Sequence, residues 1–411
     1  MKTGAMKMGR LAALAIVLGA AAAASAVLAQ VAPPVRYELH VPDLPGFKTL
    51  KGDFHLHSVF SDGRVWPSVH VQEAWRDGLD VIAFTEHAEY HPNKADVKED
   101  NGRSYAVAKP LADQLGIILV PGVEITKPDP PAPLVLKDGS QHFNALFVSD
   151  SNALSVPNDL MEALRRAKAQ KAFVFWNHPR YRVARAAWFA PVARAYEAGL
   201  FQGMELVNGP DFYDEAYPWI EERRLTIFAN SDAHDPTPPS GVAVSAGESS
   251  AGRTAPSGSR SGGVHRPVTL VFAKEATLDG VRDAFEARRT AAWLGDDVWG
   301  AEEHLRGLWN GAIVIETPVV TRAPGTSPTL RIRNTSSISM KVAVRGAPEW
   351  FVLESASPLI AESVTLLRPA VTADAPAGEH RIELRLDVLN LHTGAGRDLS
   401  VVVPLTVRVA R

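Results

Sequence analysis

The stretch Gly52-Asp53-Phe54-His55-Leu56-His57 ends a short apolar run on two histidines. In an extended strand, residues two apart lie on the same face, so both imidazoles project to one side. Imidazole nitrogens are common ligands of divalent transition metals. The stretch therefore predicts a strand that ends at a metal site.

Six similar apolar runs follow along the chain and alternate with segments of helical spacing. The seven runs are Gly52–Leu56, Val81–Thr85, Ile117–Val120, Phe143–Val148, Ala172–Trp176, Met204–Val207 and Leu225–Ala229. Pro67–Leu79 and Asp159–Lys171 have the apolar spacing and the proline position of intervening helices. Seven strand–helix repeats predict an α/β fold with a parallel sheet closed into a barrel. An open doubly wound sheet is the alternative, although it usually carries a Gly-rich phosphate turn, which this sequence lacks.

Candidate ligand side chains stand at or beside the ends of these runs. They are His55, His57, Asp62, His87, Glu124, His142, His178, Asp232 and His234. Six of the seven runs carry theirs at the C-terminal end, which faces the active site in barrel enzymes. A single histidine at a strand end is usually a hydrogen-bonded core residue. A set of such residues at successive strand ends indicates a shared metal site. The sequence has no cysteine, so the ligands would be nitrogen and oxygen atoms.

These residues together resemble the PHP family, named for polymerase and histidinol phosphatase domains. The resemblance covers roughly residues 50 to 295, and all nine ligand positions of the family pattern have a match here. It implies a distorted (β/α)7 TIM-like barrel that holds three divalent ions, Zn, Mn or Fe. The implied ligand sets are His55, His57, Glu124 and Asp232 for the first ion, Glu124, His142 and His178 for the second, and Asp62, His87 and His234 for the third. The amidohydrolase family also begins with His-x-His, but it usually needs a bridging lysine after the fourth strand, and Phe143–Val148 is followed by none.

The two ends of the chain differ from this pattern. Cations at positions 2, 7 and 10 precede an apolar run, Leu11–Ala24, and small residues up to Ala29. This layout predicts a secretory signal peptide cleaved after Ala29, because a membrane span needs ~20 apolar residues. We expect a periplasmic or secreted protein with no membrane span in its mature form. The formal net charge of −3 gives no indication of a nucleic-acid partner, and the oligomeric state stays open.

The predicted domain organisation follows from these composition changes. Residues 30–48 are a linker and 49–305 the barrel, which is interrupted by a flexible Pro-, Ser- and Gly-rich excursion at 236–267. Four β-rich stretches then predict a small Ig-like antiparallel sandwich at 311–411. These stretches are Thr329–Asn334, Met340–Val344, Arg381–Val388 and Ser400–Val409. The sandwich carries no catalytic cluster, so we expect it to serve packing, anchoring or assembly.

The PHP resemblance implies a metal-dependent phosphoester hydrolase that attacks with a metal-bound, bridging hydroxide and needs no separate protein nucleophile. Candidate substrate contacts are Arg180, Arg182, Asn208, Tyr90 and His91. A small-molecule phosphodiester is the favoured substrate, because an exported enzyme would meet external diesters. Three alternatives stay open: a phosphomonoesterase of the histidinol-phosphatase type, a non-hydrolytic metal-containing binding protein, and an amide or lactone hydrolase.

Overall fold

The computed structural model describes residues 35–129, 133, 135–236, 265–323, 328–353 and 357–410. The chain from Glu38 onward forms one compact unit. The predicted signal peptide and most of the predicted excursion, residues 237–264, lie outside the described residues. Among the described helices, none is long and apolar enough to cross a membrane.

The secondary structure alternates strands and helices first and becomes β-rich later. The helices are α1 (Pro67–Arg76), α2 (Arg103–Leu115), α3 (Leu160–Ala169), α4 (Ala190–Glu197), α5 (Ala216–Arg223), α6 (Leu278–Glu286) and α7 (Glu302–Ala312). The strands up to residue 300 are β1 (Lys48–Asp53), β2 (Val81–Phe84), β3 (Ile118–Ile125), β4 (Phe143–Leu146), β5 (Phe173–Trp176), β6 (Gly203–Asn208), β7 (Asp211–Phe212), β8 (Thr226–Asn230), β9 (Val268–Ala273), β10 (Thr290–Leu294) and β11 (Asp297–Gly300). Those after it are β12 (Ile313–Ile315), β13 (Val319–Arg322), β14 (Leu330–Asn334), β15 (Met340–Gly346), β16 (Phe351–Val352), β17 (Ser357–Leu359), β18 (Ser363–Leu367), β19 (Ala370–Val371), β20 (Gly378–Gly394) and β21 (Arg397–Val409).

The seven predicted runs all overlap strands, and these strands are neighbours in chain order, β1-β2-β3-β4-β5-β6-β8. The prediction of a wholly parallel sheet is wrong at β4, which pairs antiparallel with both β3 and β5. The other neighbours in this row pair in parallel. Beyond β1 the sheet continues antiparallel through β9 and β10.

Closure of the sheet into a barrel is not confirmed, because the described residues contain no ladder that joins β8 to β1 or β9. Side chains cross this gap instead. The hydroxyl of Thr269 accepts from the backbone N–H of Ala229 at 2.9 Å and donates to its carbonyl at 2.8 Å. Leu56 and Ala233 add one isolated bridge after the strands end. The hydroxyls of Thr269 and Thr290 thus donate to backbone carbonyls of β8 and replace part of the missing ladder.

Phenylalanine side chains fill the space that the strands enclose. Phe54 and Phe285 meet edge to face at 4.9 Å, and Phe175 stacks on Phe228 at 4.3 Å. All four rings are fully buried. Such a packed interior fixes the strand ends above it, because close-packed cores transmit displacements and tolerate few voids.

The later strands pair antiparallel with one another except at β13, which pairs in parallel with β21. The long strands β20 and β21 pair along most of their length, and β15 extends the sheet on the other side of β20. A second sheet has the order β12-β14-β18. Burial alternates most clearly in β14, whose residues are buried and exposed in turn. Both sheets contribute to one hydrophobic core.

The β-rich region is continuous with the first sheet. Strand β11 pairs in parallel with β20, with Val298 opposite Leu391 and Trp299 opposite His392. Helix α7 packs Leu305 into the same core as Leu384 of β20. The boundary at 311 and the Ig-like sandwich therefore stay predictions, while the continuous sheet is a feature that the sequence did not indicate.

Candidate metal centre

The nine candidate ligands lie together at one edge of the sheet. His55 and His57 follow β1, and His178 follows β5. His142 is the exception in sequence, because it stands before its strand. Since β4 runs antiparallel to β3 and β5, its N-terminal end lies at the edge where their ligands gather. The strand direction thus explains why one ligand precedes its run.

Glu124 is a fully buried carboxylate at the centre of the cluster. Its neighbours are the rings of His55, His57, His87, His142 and His178. Oε2 lies 2.7 Å from Nδ1 of His87 and 3.4 Å from Nε2 of His57. Oε1 lies 3.1 Å from Nδ1 of His142 and 3.4 Å from Nε2 of His178. The two oxygens therefore face two different sets of imidazoles, as a bridging ligand would.

Asp232 and Asp62 occupy the two flanks of the cluster. Oδ1 of Asp232 lies 3.2 Å from Nε2 of His55 and 3.2 Å from Nε2 of His57. These two histidine nitrogens are 3.1 Å apart. On the other flank, Oδ1 of Asp62 lies 3.1 Å from Nε2 of His234. Each flank thus places a carboxylate oxygen against imidazole nitrogens.

Four groups of side chains each place one ligand atom apiece within 4.8 Å of one another. They are His57, Asp62, His87 and His234; His55, Glu124 and His178; His55, His57 and Asp232; and His87, Glu124 and His142. The third set implied by the PHP resemblance reappears with His57 added, and the first reappears without Glu124. The second is divided, because His142 and His178 share Glu124 in separate groups.

Three buried carboxylate oxygens in the cluster lack a hydrogen-bond partner among the described residues. They are Oδ1 of Asp62, Oε2 of Glu124 and Oδ1 of Asp232. An unsatisfied buried acceptor costs about 1–3 kcal/mol, and more when it is charged, so three in one place require an explanation. Asp62 and Asp232 each belong to one of the four groups described above, and Glu124 belongs to two. The donor set of imidazole and carboxylate atoms fits divalent cations such as Zn, Mn or Fe.

The electrostatics keep the carboxylates ionised. Burial would raise the pKa of Glu124 and of Asp232, but the surrounding histidines hold both pKa values well below the usual range. Burial likewise opposes the charge on His234, yet the adjacent carboxylates of Asp62 and Asp232 raise its pKa to about 9. For His142 burial prevails and lowers the pKa to about 4. The cluster thus combines ionised carboxylates with imidazoles whose pKa values are shifted in opposite directions.

Two of the candidate ligands adopt backbone conformations that only glycine adopts easily. Asp232 has φ +53° and His178 has φ +23°. Such conformations cost roughly 1–3 kcal/mol and persist only where surrounding contacts impose them. The backbone N–H of His178 donates to Oε2 of Glu205 at 2.8 Å, and Asn208 donates to Oδ2 of Asp232 at 3.3 Å. These hydrogen bonds therefore hold His178 and Asp232 in strained backbone conformations that direct their side chains into the cluster.

Glu205 is the most important residue that sequence reasoning missed. It is fully buried in β6, and its Oε1 lies 2.9 Å from Nδ1 of His55. Asn208 and Asn230 donate to its two oxygens at 3.0 and 2.9 Å. A carboxylate that binds the outer nitrogen of a histidine fixes its tautomer and ring orientation. The sign in the sequence was the acidic Glu205 itself within the apolar run Met204–Val207, since an acidic residue is almost never fully buried unless it is paired.

Glu86 and Thr126 support two other histidines in the same way. Glu86 accepts from the hydroxyl of Ser61 at 2.5 Å, and this hydroxyl lies 3.2 Å from Nδ1 of His57. The hydroxyl of Thr126 lies 2.6 Å from Nδ1 of His87. Glu86 directly precedes His87 in the sequence, but nothing in the sequence distinguished it from a surface acid.

Seven of the nine candidate ligands, all except His55 and His57, line the floor of a cavity of about 700 Å³. Of the five predicted substrate contacts, Tyr90, His91 and Arg182 line this cavity. Arg180 and Asn208 are not among the lining residues. Arg180 donates to the carbonyl of Phe212 at 2.7 Å, and Asn208 donates to Glu205 and Asp232. These two side chains are occupied by protein groups.

The wall of the cavity also contains residues that the sequence did not single out. Tyr181 stands with its ring 5.1 Å from the ring of His178, and Arg182 lies over the Tyr181 ring at 5.1 Å. Lys94 adds a second cation to the wall. Nδ1 of His91 lies 3.0 Å from the carbonyl of Phe60, a contact that ties this ring to the backbone.

Fold and site together define a metal-binding α/β protein with a multidentate imidazole–carboxylate centre beneath an open cavity. A two-domain protein from Bacteroides vulgatus, described as containing a predicted PHP-like metal-dependent phosphoesterase, has a solved structure similar to this chain. The two share 34% sequence identity with a TM-score of 0.75, over 91% of this chain and 100% of that one. The chain belongs to the PHP-like family of metal-dependent phosphoesterases.

Two further solved structures are weaker likenesses. A protein from Bifidobacterium adolescentis, classed as a metal-dependent phosphoesterase, is 16% identical over 46% of this chain and 89% of its own, with a TM-score of 0.36. Endonuclease Q, bound to a 27-mer duplex with an abasic lesion, is 13% identical over 62% and 60%, with a TM-score of 0.38. No protein-family model matches the chain, and a search of curated proteins found none similar to it.

Proposed function

We propose that this protein hydrolyses small-molecule phosphodiesters at a centre of three divalent cations held by the nine candidate ligands. The observation that carries the proposal is the set of three unsatisfied buried carboxylate oxygens on Asp62, Glu124 and Asp232, each facing imidazoles at the floor of the cavity. Membership of the PHP-like phosphoesterases supports the reaction class.

The residues of the chain have separable tasks in this proposal. Bound divalent cations would supply Lewis acidity and lower the pKa of water to about 7. Glu124 holds the imidazole groups together with its two oxygens, and Glu205 orients His55. Arg182 and Lys94 on the cavity wall are the cations available to bind non-bridging phosphoryl oxygens. The protein thus positions the phosphoryl group and stabilises its charge, which is most of what phosphoryl transfer requires.

The distribution of charge on the cavity wall favours a diester. A phosphomonoester carries ~1.5–2 negative charges near pH 7, whereas a diester carries one. The wall holds the cations Arg182 and Lys94 but also the acid Glu89, a net charge of +1 outside the candidate ligands and the histidines, while Arg180 binds Phe212 and Glu215 instead. The cavity is also open and large enough for a second ester group.

Turnover of bis-p-nitrophenyl phosphate and of p-nitrophenyl phosphate, with and without chelator, tests this proposal. We expect chelator-sensitive cleavage with a higher kcat/KM for the diester. Glu124→Gln should abolish turnover, while Glu349→Gln on the exposed surface serves as the matched control. A preference for the monoester would favour the histidinol-phosphatase type of activity, and stoichiometric metal without cleavage would favour a non-hydrolytic binding protein.

We also propose that residues 1–29 direct export to the periplasm or the medium. The basic lead, the apolar run and the small residues before position 30 support this location. Comparison of the N-terminus of the mature protein with Gln30 tests it, and an unprocessed chain retained in the cytoplasm would contradict it.

A further inference from the structure

A second depression of about 470 Å³ lies at the opposite end of the strands from the metal centre. Phe173 and Thr226, the first residues of β5 and β8, belong to its lining. With a rise of about 3.3 Å per residue, the length of β8 separates it from the metal centre by roughly 15 Å. It therefore shares no residue with the cavity above the candidate ligands.

Cationic side chains dominate the lining of this depression. Its charged residues are Lys168, Lys171, Arg223, Arg224, Arg288 and a single acid, Glu286. Arg223 pairs with Glu222 at 2.9 Å, but among the described residues Lys171, Arg224 and Arg288 make no ion pair. In a chain whose formal net charge is −3, this is a strong local excess of positive charge.

Helix ends alone do not account for the excess. The last turns or ends of α3, α4, α5 and α6 border the depression, and each helix C-terminus carries roughly half a negative charge. Lys168 serves this purpose for α4, because its Nζ donates to the carbonyl of Ala198. Four ends contribute about −2, and Glu286 and the Glu222 that pairs with Arg223 contribute −1 each, against five cations. A surplus of about one positive charge is left over.

Three of these cations stand where another residue type is usual. Lys171, Arg224 and Arg288 have φ values of +59°, +54° and +57°. Each follows a helix at a position where glycine or asparagine normally adopts the left-handed conformation. A long cationic side chain at all three positions is unfavourable for the backbone, so capping alone does not explain the choice.

We propose that this depression binds a phosphate dianion, as free inorganic phosphate or as the phosphoryl group of a small phosphomonoester. Both are dianionic near neutral pH, and Lys171, Arg224 and Arg288, which make no ion pair among the described residues, carry enough positive charge to balance them. Forked guanidinium groups from Arg224 and Arg288 suit bidentate contact with phosphoryl oxygens. Binding there is independent of catalysis at the metal centre.

Calorimetric titration of the metal-loaded protein with inorganic phosphate tests the site. The triple variant Lys171→Asn, Arg224→Asn, Arg288→Asn removes three charges and supplies a residue that favours the left-handed conformation. The control replaces three exposed cations elsewhere, Arg103, Arg368 and Arg381, with glutamine.

We expect wild type and control to bind one equivalent of phosphate more than the triple variant, or to bind it at least tenfold more tightly at that site. Phosphate bound at the metal centre is common to all three proteins and cancels in the comparison. Repeating the titration with glucose 6-phosphate distinguishes free phosphate from a phosphomonoester. Equal stoichiometry and affinity in all three proteins, with unchanged thermal stability of the triple variant, would overturn the proposal.

Discussion

At the scale of single residues, the candidate metal centre depends on buried groups that do not line the cavity. Glu205 is one of them, because it fixes His55 and also accepts from the backbone of His178. Both oxygens of its carboxylate are used, so an amide at this position would place a donor against a donor. The residue type that binds the second ring nitrogen of a histidine is therefore as constrained as the histidine ligand itself.

Glu205→Gln should lower metal affinity roughly 10- to 100-fold, because the amide no longer holds His55 in its metal-binding tautomer. Competition titration with a chromophoric chelator measures this change. Glu349→Gln, an exposed substitution of the same type, should leave the affinity unchanged. Equal metal affinity for Glu205→Gln and wild type would show that Glu205 serves folding only.

Arg182 and Arg180 are close in sequence but differ in position. Arg182 lines the cavity and has φ +56°, so asparagine is a tolerated replacement. We expect Arg182→Asn to raise KM for a diester roughly tenfold, which corresponds to one charge-assisted hydrogen bond. Arg180→Gln should leave KM within about twofold of wild type, because its guanidinium binds Phe212 and not the cavity. Steady-state kinetics in which Arg180→Gln raised KM more than Arg182→Asn would contradict this assignment.

At the scale of elements, the sequence predicted the existence of the strands better than their direction. Apolar runs such as Phe143–Val148 indicate a buried strand, but burial on both faces is the same for parallel and antiparallel neighbours. His142 before its run was the available sign that β4 is reversed. The nine candidate ligands could be proposed from the sequence because they stand at or beside strand ends, whereas Glu205 and Tyr181 depend on packing between distant elements.

Arg266 shows how elements below the metal centre are held together. It lies at the end of the predicted excursion, yet it is buried and donates to Asp77 at 2.8 Å and to Asp53 at 3.3 Å. Asp53 in turn accepts from the backbone and hydroxyl of Ser231, directly before Asp232. The prediction of a surface excursion up to Pro267 therefore does not describe its final residues.

Arg266→Met should lower the free energy of unfolding by about 3–5 kcal/mol, because it leaves buried carboxylates without their cation. Urea denaturation at pH 7 measures this loss. Arg368→Met, at an exposed position, should change the free energy by less than about 0.5 kcal/mol. A loss below about 1 kcal/mol for Arg266→Met would mean that the ion pairs are dispensable.

At the scale of the whole molecule, the β-rich region and the first sheet form one continuous structure. His392 of β20 lies between Asp297 of β11 and Asp398 of β21, at 3.1 and 2.9 Å. Its ring also stacks on Trp299 at 5.2 Å. Sequence patterns separated the two regions by composition and period, but pairing between β11 and β20 is a long-range feature that no local pattern encodes.

The junction at His392 should make stability depend on pH. Burial lowers the pKa of His392, but the hydrogen bonds to Asp297 and Asp398 prevail and raise it. A raised histidine pKa contributes stability that is fully present below the unfolded value of about 6.5 and is lost as pH rises through the folded value. We expect His392→Gln to cost about 1 kcal/mol at pH 5.5 and less at pH 9. Denaturation curves in which wild type and His392→Gln differ more in free energy of unfolding at alkaline pH would contradict this.

Metal analysis coupled to turnover is the most direct test of the centre formed by the nine residues. Purified protein should contain about three divalent cations per chain, and His55→Ala should contain fewer, because His55 contributes to two of the four ligand groups. Removal of the metal by chelation should abolish hydrolysis of bis-p-nitrophenyl phosphate, and addition of Zn or Mn should restore it. Full turnover by metal-free protein, or by His55→Ala, would contradict the metal centre.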